Sequence, residues 1–249
     1  MERLINLVLL CGSFLIFSPV LAQLGSIEEV SFPHVTDDML SNPHEEDWLM
    51  WRRTQNGWGY SPLDQIDKSN VTNLRMVWTR ALTEGSQTGT PLAYNGILFM
   101  PNPNDVIQAL NAATGDLIWE HRREVPEAAR ENLGYLSTNN RNIAIWRNLI
   151  IDTSVDDHLF ALNAATGEQV WETMVLDYNT HPAIQGAGPI IGNGTVFSGR
   201  SCRPIAGPDA CVITAHDAET GAELWRRRTI PAPGAVSYTH LTLPTTPYV

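Results

Sequence analysis

Short apolar runs separated by polar turns recur along the middle of the chain in a fixed order. Residues 96–100 form one run, residues 106–110 a second, and residues 116–120 a third after the turn 111–115. The order returns at 148–151, 158–162 and 168–172, and again at 194–197, 211–215 and 222–225. Runs of this length, rich in Ile, Val, Leu and Phe and bounded by Gly, Asn and Asp, predict strands. Three strands are thus predicted per unit, and a fourth falls in the less regular half of each.

The units are marked by one repeated stretch. Ala109-Leu-Asn-Ala-Ala-Thr-Gly-Asp-Leu-Ile-Trp119 returns as Ala161-Leu-Asn-Ala-Ala-Thr-Gly-Glu-Gln-Val-Trp171 and as Ala215-His-Asp-Ala-Glu-Thr-Gly-Ala-Glu-Leu-Trp225. The tryptophans lie 52 and 54 residues apart. A period near 50 marks a repeat architecture in which no unit has a core of its own. Four antiparallel strands in such a period make a propeller blade. The fold class is therefore all-β, a β-propeller with tryptophan-marked repeats, and the chain holds about half of a closed ring. Residues 71–78, ending in Trp78, read as a degenerate first copy.

The turn between the second and third run has a mechanism. Asn111, Asn163 and Asp217 can accept from backbone amides two residues on. Gly115, Gly167 and Gly221 supply the positive φ of a bulged hairpin. Ala109, Ala161 and Ala215 leave room for a large ring, so the tryptophans are structural.

Composition narrows the class. With 43% hydrophobic residues, 17% charged residues and a net charge of −11, the chain is globular and lacks the basic footprint of a nucleic-acid binder. Residues 1–22 read as a secretory signal peptide ending at Ala22. A membrane anchor is the alternative, but the apolar run 4–17 is shorter than the ~20 residues a spanning helix needs. The localisation that follows is the periplasm, with no transmembrane segment after cleavage. In that compartment disulfides persist. Cys202 and Cys211 can form a bridge, or remain a pair of buried thiols. Residues 23–46 are polar and read as an N-terminal arm, and the propeller spans 47–234. Residues 235–249 carry no charge and none of the repeat pattern, and read as a non-native tail.

The repeat resembles the tryptophan-docking motif of the pyrroloquinoline quinone (PQQ) dehydrogenases, an eight-bladed family with its cofactor on the central axis. Residues 60–66, 89–92, Asn140-Arg141 and 211–221 extend the resemblance over roughly 46–234. It implies oxidation of a small-molecule alcohol, with electrons passed to a cytochrome c or a quinone. PQQ is a planar ortho-quinone with three carboxylates. It calls for cationic and hydroxyl donors, a bound calcium or lanthanide as Lewis acid, and a carboxylate base.

By resemblance, Arg141 matches the arginine that contacts the quinone oxygens, and its planar fork suits that task. Thr153 matches a threonine that bonds a cofactor carboxylate. Gly186, Ala187 and Gly188 match the small-residue segment that brings backbone amides to the cofactor rim. Thr88 stands where the family often has a glutamate on the cofactor. Tyr135-Leu136 replaces a pair of adjacent cysteines found in many members. No carboxylate stands near 201–203 for the metal, and Arg203 would repel a cation, so no metal ligand is assigned. The family's catalytic aspartate lies beyond residue 234, so no catalytic residue is assigned and the chain alone is expected to be inactive. A non-catalytic propeller scaffold with a vestigial cofactor site is the alternative function.

Overall fold

In a computed structural model the described residues are 32–133, 140–183, 187–200 and 206–230. The signal peptide, the cysteine position 202, Gly186 and the tail lie outside them. Three four-stranded antiparallel meanders follow one another. The first holds β1 (Leu92–Tyr94), β2 (Ile97–Asn102), β3 (Val106–Asn111) and β4 (Leu117–Arg122). The second holds β5 (Ala144–Trp146), β6 (Leu149–Thr153), β7 (His158–Asn163) and β8 (Gln169–Met174). The third holds β9 (Ile190–Gly192), β10 (Thr195–Gly199), β11 (Val212–Asp217) and β12 (Glu223–Arg228). Each predicted run is a strand to within a few residues. The inferred fourth strand is the short inner one, β1, β5 or β9. These three-residue strands follow irregular segments, which hides their periodicity.

The repeated turns form as their residue types require. The Oδ1 of Asn111 accepts from the amides of Ala113 at 2.9 Å and Thr114 at 3.1 Å. Asn163 and Asp217 repeat this with Ala165 and Thr166, and with Glu219 and Thr220. Register shifts at Ala109/Leu110, Ala161/Leu162 and Ala215/His216 are the bulges that follow.

The glycine of each turn has a second duty. Gly167 has φ +75°, and a Cβ there would lie 2.6 Å from the Trp119 ring of the preceding sheet. Trp119 Nε1 donates to the Ala164 carbonyl at 3.0 Å, and Trp171 Nε1 to that of Ala218 at 3.0 Å. Trp78 makes the same bond to Ala112 at 3.1 Å. Residues 74–78 are not a strand, however. The degenerate copy keeps the docking ring without the strand that carries it elsewhere.

The core lies between sheets. Phe99, Ile107, Ile145, Ile150, Ile151, Leu159 and Phe160 are fully buried. The segment before the first sheet is fastened to the first and second sheets. Val35 bridges Arg147, and Trp48 bridges Ala93. The short helix α1 (Asp37–Ser41), capped by Thr36, places Leu40 in the core. A second helix, α2 (Glu127–Leu133), follows β4.

Candidate functional site

The inner strands of successive sheets are joined where they begin. Thr90 and Asn142 form a parallel bridge, and the Thr90 N–H donates to the Arg141 carbonyl at 2.6 Å. The Thr88 hydroxyl donates to the Asn140 carbonyl at 3.4 Å. On the other side Gly188 lies so close to Asn142 that a Cβ would fall 1.7 Å from its carbonyl oxygen. No other residue type fits there without moving the backbone. These joints bring three separate segments to the rim of one cavity of about 710 Å³.

Thr88, Arg141, Ala187 and Gly188 line that cavity together with Thr90 and Asn142. Four of the six cofactor residues read from the sequence thus meet at one place. Thr153 does not line it. It is the last residue of β6, 7% exposed, and pairs with Leu159 in the sheet. Gly186 lies outside the described residues. The opposite wall is supplied by Leu49, Trp51 and Arg52 of the N-terminal segment. The Arg52 guanidinium sits 5.2 Å from the Trp51 ring centroid.

Below the rim are buried polar groups that the strand pattern hides. Asp152 interrupts an apolar run of β6 and is fully buried. It takes the Thr153 N–H at 2.7 Å on Oδ1 and the Asn140 side-chain amide on Oδ2. Burial, with the Asp105 charge beside it, pushes its carboxyl well above the usual range. An acid inside a run of Leu and Ile was the available signal, because charged side chains are rarely buried without a purpose.

Two further clusters clip neighbouring sheets together. Arg123 meets Asp156 at 2.8 Å, Ser154 at 2.8 Å and Glu172 at 2.8 Å. Ser154 donates in turn to Asp105. Burial raises Asp105 to about 6 against the pull of Ser154 and Arg123. Burial also acts on Asp156, but His158, Ser154 and Arg123 outweigh it and hold the carboxyl at about 2. The second clip is Asp157 with Arg200, Nε to Oδ1 2.7 Å, both buried. Here burial wins over the guanidinium and raises Asp157 to about 7.

Among the described residues no group of three or more His, Cys, Asp or Glu is placed to hold a metal ion. Cys211 is a disulfide cysteine. No helix among them is long and apolar enough to cross a membrane.

The three meanders define part of a β-propeller, with a pocket lined by Arg141, Thr88 and Thr90 where its inner strands begin. Residues 48–235 match the PQQ family described as the glucose/ethanol/alcohol dehydrogenase, beta-propeller domain, and the chain belongs to that family. It is 33% identical over 197 residues to the dehydrogenase subunit of the alcohol dehydrogenase (quinone) of Gluconacetobacter polyoxogenes, covering 78% of this chain and 27% of that one. The corresponding subunit of Gluconobacter oxydans is 32% identical over 233 residues, covering 91% and 30%. Among solved structures, the quinohemoprotein alcohol dehydrogenase ADHIIG of Pseudomonas putida HK5 aligns with a TM-score of 0.68 at 28% identity, covering 80% of this chain and 29% of that chain. The chain therefore spans less than a third of the length of these relatives.

The cavity suits the family's cofactor chemically. A planar tricarboxylate quinone needs a cation, hydroxyl donors and a flat apolar wall. Arg141, Thr88 and Thr90 contribute a cation and hydroxyls to the lining, and Ile143, Ala144 and Pro189 contribute apolar surface. Ala187 and Gly188 keep side chains from filling the space.

Proposed function

We propose that this chain forms the PQQ-binding part of a periplasmic quinoprotein alcohol dehydrogenase, which passes electrons to a cytochrome c or a quinone. The observation that carries the reading is the convergence of Thr88, Arg141 and the Ala187-Gly188 segment on one cavity from the segments that lead into three successive sheets. A chance assortment of turn residues gives no reason for that meeting.

When bound, PQQ supplies the quinone that takes up two electrons and two protons from an alcohol. The chain's own part is binding and orientation. Arg141 offers a planar fork of donors to anionic oxygens. The Thr88 and Thr90 hydroxyls line the same rim. The apolar wall excludes water, which strengthens each of these bonds. No described residue is assigned the role of catalytic base. A calcium or lanthanide ion is part of the reading, but no described residue set holds one and no step is derived through it. Residues 1–22 serve as the export signal, and Cys202 is the partner of Cys211.

A full-length clone containing residues 32–230 tests this. Apo-protein is titrated with PQQ, with calcium or with a lanthanide, and dye reduction is followed with a panel of alcohols. Binding and alcohol-dependent reduction are expected. Arg141→Ala should weaken PQQ binding by roughly 10- to 150-fold, the scale of losing a hydrogen bond to a charged group. No PQQ binding under any metal condition would remove the enzyme reading and leave the scaffold.

A further inference from the structure

Arg141 enters the cavity from an irregular segment, not from a strand, so something other than a sheet ladder must fix its root. The peptides on both sides of it are held. On the N-terminal side the Asn140 carbonyl takes the Thr88 hydroxyl at 3.4 Å. On the C-terminal side the Arg141 carbonyl takes the Thr90 N–H at 2.6 Å. Both of those bonds come from the segment that leads into the first sheet. A third tie comes from within the second sheet, because the buried Asn140 side chain donates to the fully buried carboxyl of Asp152.

Asp152 is itself immobile. It sits in β6 opposite Phe160, and its second oxygen is engaged by the Thr153 N–H at 2.7 Å. It does not line the cavity. Its only described hydrogen bond to another side chain leads to Asn140, the residue next to Arg141. A buried carboxyl in the middle of an apolar strand costs stability unless it is compensated. Leu or Ile at this position would continue the run Leu149-Ile-Ile. A role in holding the loop above it accounts for the acid.

The geometry points to Asp152 as a positioning residue, anchoring Asn140 so that the adjoining Arg141 guanidinium is presented to a bound anionic quinone at a fixed place on the rim. This rests on the reading of the cavity as the PQQ site. The same tie connects the interior of the second sheet to the cavity wall, and the Thr88 and Thr90 bonds complete it from the segment before the first sheet. The loop is thus held at three points, and only one of them lies inside a sheet. Removing Asp152 frees the Asn140 side chain and leaves the two rim bonds to hold Arg141 alone. Preorganisation of this kind is what sets a binding side chain to within a fraction of an ångström.

The test is a double-mutant cycle in the full-length protein, read as the Kd for PQQ by tryptophan quenching and equilibrium dialysis at a temperature where all variants are folded. Asp152→Ala should weaken PQQ binding about tenfold, the scale seen when a group that orients a ligating side chain is removed. In an Arg141→Ala background the same change should cost less than about twofold, because its effect passes through Arg141. Asp152→Asn should bind within about threefold of the parent, since the Asn140 amide can turn over and offer its oxygen to the new amide N–H. Asn140→Ala should reproduce Asp152→Ala, and it carries the same cycle if the latter variant does not fold.

Two results overturn the role. One is an Asp152→Ala protein that binds PQQ like the parent. The other is a tenfold loss that persists in the Arg141→Ala background, as a purely structural defect would give. If Arg141→Ala itself leaves the Kd unchanged, the cofactor reading of the cavity fails, and the positioning role falls with it.

Discussion

The second and third sheets are built from nearly the same repeat, yet they are buried differently. In the second, Ile151 pairs with Ala161, which pairs with Trp171, and the three are 0%, 0% and 9% exposed. The matching positions of the third are Phe197, Ala215 and Trp225. There Phe197 is 37% exposed and Trp225 is 39% exposed. Leu159 and Ile213 stand two residues before the paired alanines and show the same contrast. The first is fully buried and the second is open. Residue type and register are alike, so burial is set by the neighbour. Trp171 docks on the turn of the third sheet, while no described sheet offers a turn to Trp225. A propeller repeat is stabilised from outside itself, and its hydrophobic pattern describes a face that the next repeat must cover.

The largest expected effect sharpens that contrast. Trp171→Ala removes a ring buried against Gly221 and the bond to Ala218, and should cost about 3–5 kcal/mol. Trp225→Ala removes a ring that is 39% exposed and packs on Phe197 of its own sheet, and should cost about 1 kcal/mol, in the centre of ordinary point-mutant effects. Urea unfolding of the two variants measures both. Equal losses would mean that docking adds nothing to the ring's burial within its own sheet. Glycines separate the two parts of the turn's role. Gly167→Ala places a methyl 2.6 Å from the Trp119 ring at φ +75°, whereas Gly96→Ala at φ +73° meets nothing within 4 Å. The first should cost about 2–3 kcal/mol and the second about 1 kcal/mol, backbone strain being common to both. If both cost the same, the ring does not press on the turn.

Much of this was legible in the sequence, for a physical reason. The outer three strands of each unit are tied to a hairpin whose Asn or Asp, Thr and Gly are demanded by local geometry. Those residue types therefore repeat. The inner strands Leu92–Tyr94, Ala144–Trp146 and Ile190–Gly192 are three residues long and lie in the segments that vary, so they could only be inferred. The site was half legible. Arg141 and the Ala187-Gly188 segment were reached through the family resemblance, because a lone arginine or a small-residue turn carries no site signal of its own. Thr153 does not reach the cavity, because its place at the end of β6 gives it a sheet partner instead. Asn140, Thr90 and Asp152 matter through bonds between segments 12 to 52 residues apart, and no local pattern records those.

The clips between sheets offer a pH contrast. Asp105, in the first clip, and Asp157, in the second, have folded pKa values of about 6 and about 7, above the unfolded value. The folded state therefore holds those protons more tightly than the unfolded state. The stability they contribute is complete below about pH 4 and is lost as pH rises through 6 to 7. Asp156, held at about 2, acts with the opposite sign, and its contribution fades only as pH falls from about 4 toward 2. The denaturation midpoint should thus decline between pH 4 and pH 7. Asp157→Asn should flatten the upper part of that decline, because the second clip then has no carboxyl to ionise. A midpoint that rises steadily over this range would show that the Arg200 pairing outweighs burial.

The smallest effect bears most directly on whether the neighbour or the repeat sets burial. Ile213→Thr changes a half-open side chain on the uncovered face, and should alter stability by less than about 0.5 kcal/mol. Leu159→Thr makes the corresponding change under the cover of the third sheet, and places a hydroxyl where no solvent reaches it. It should cost about 2–3 kcal/mol, since the buried hydroxyl is desolvated as the apolar contacts are lost. The two positions share a register, so their difference isolates the cover. An exposed apolar face also binds hydrophobic dyes. Ile213→Thr should lower dye fluorescence on the folded chain, while Leu159→Thr should raise it by loosening the joint between the second and third sheets. Equal destabilisation by the two changes would place the control of burial within each sheet and not between sheets.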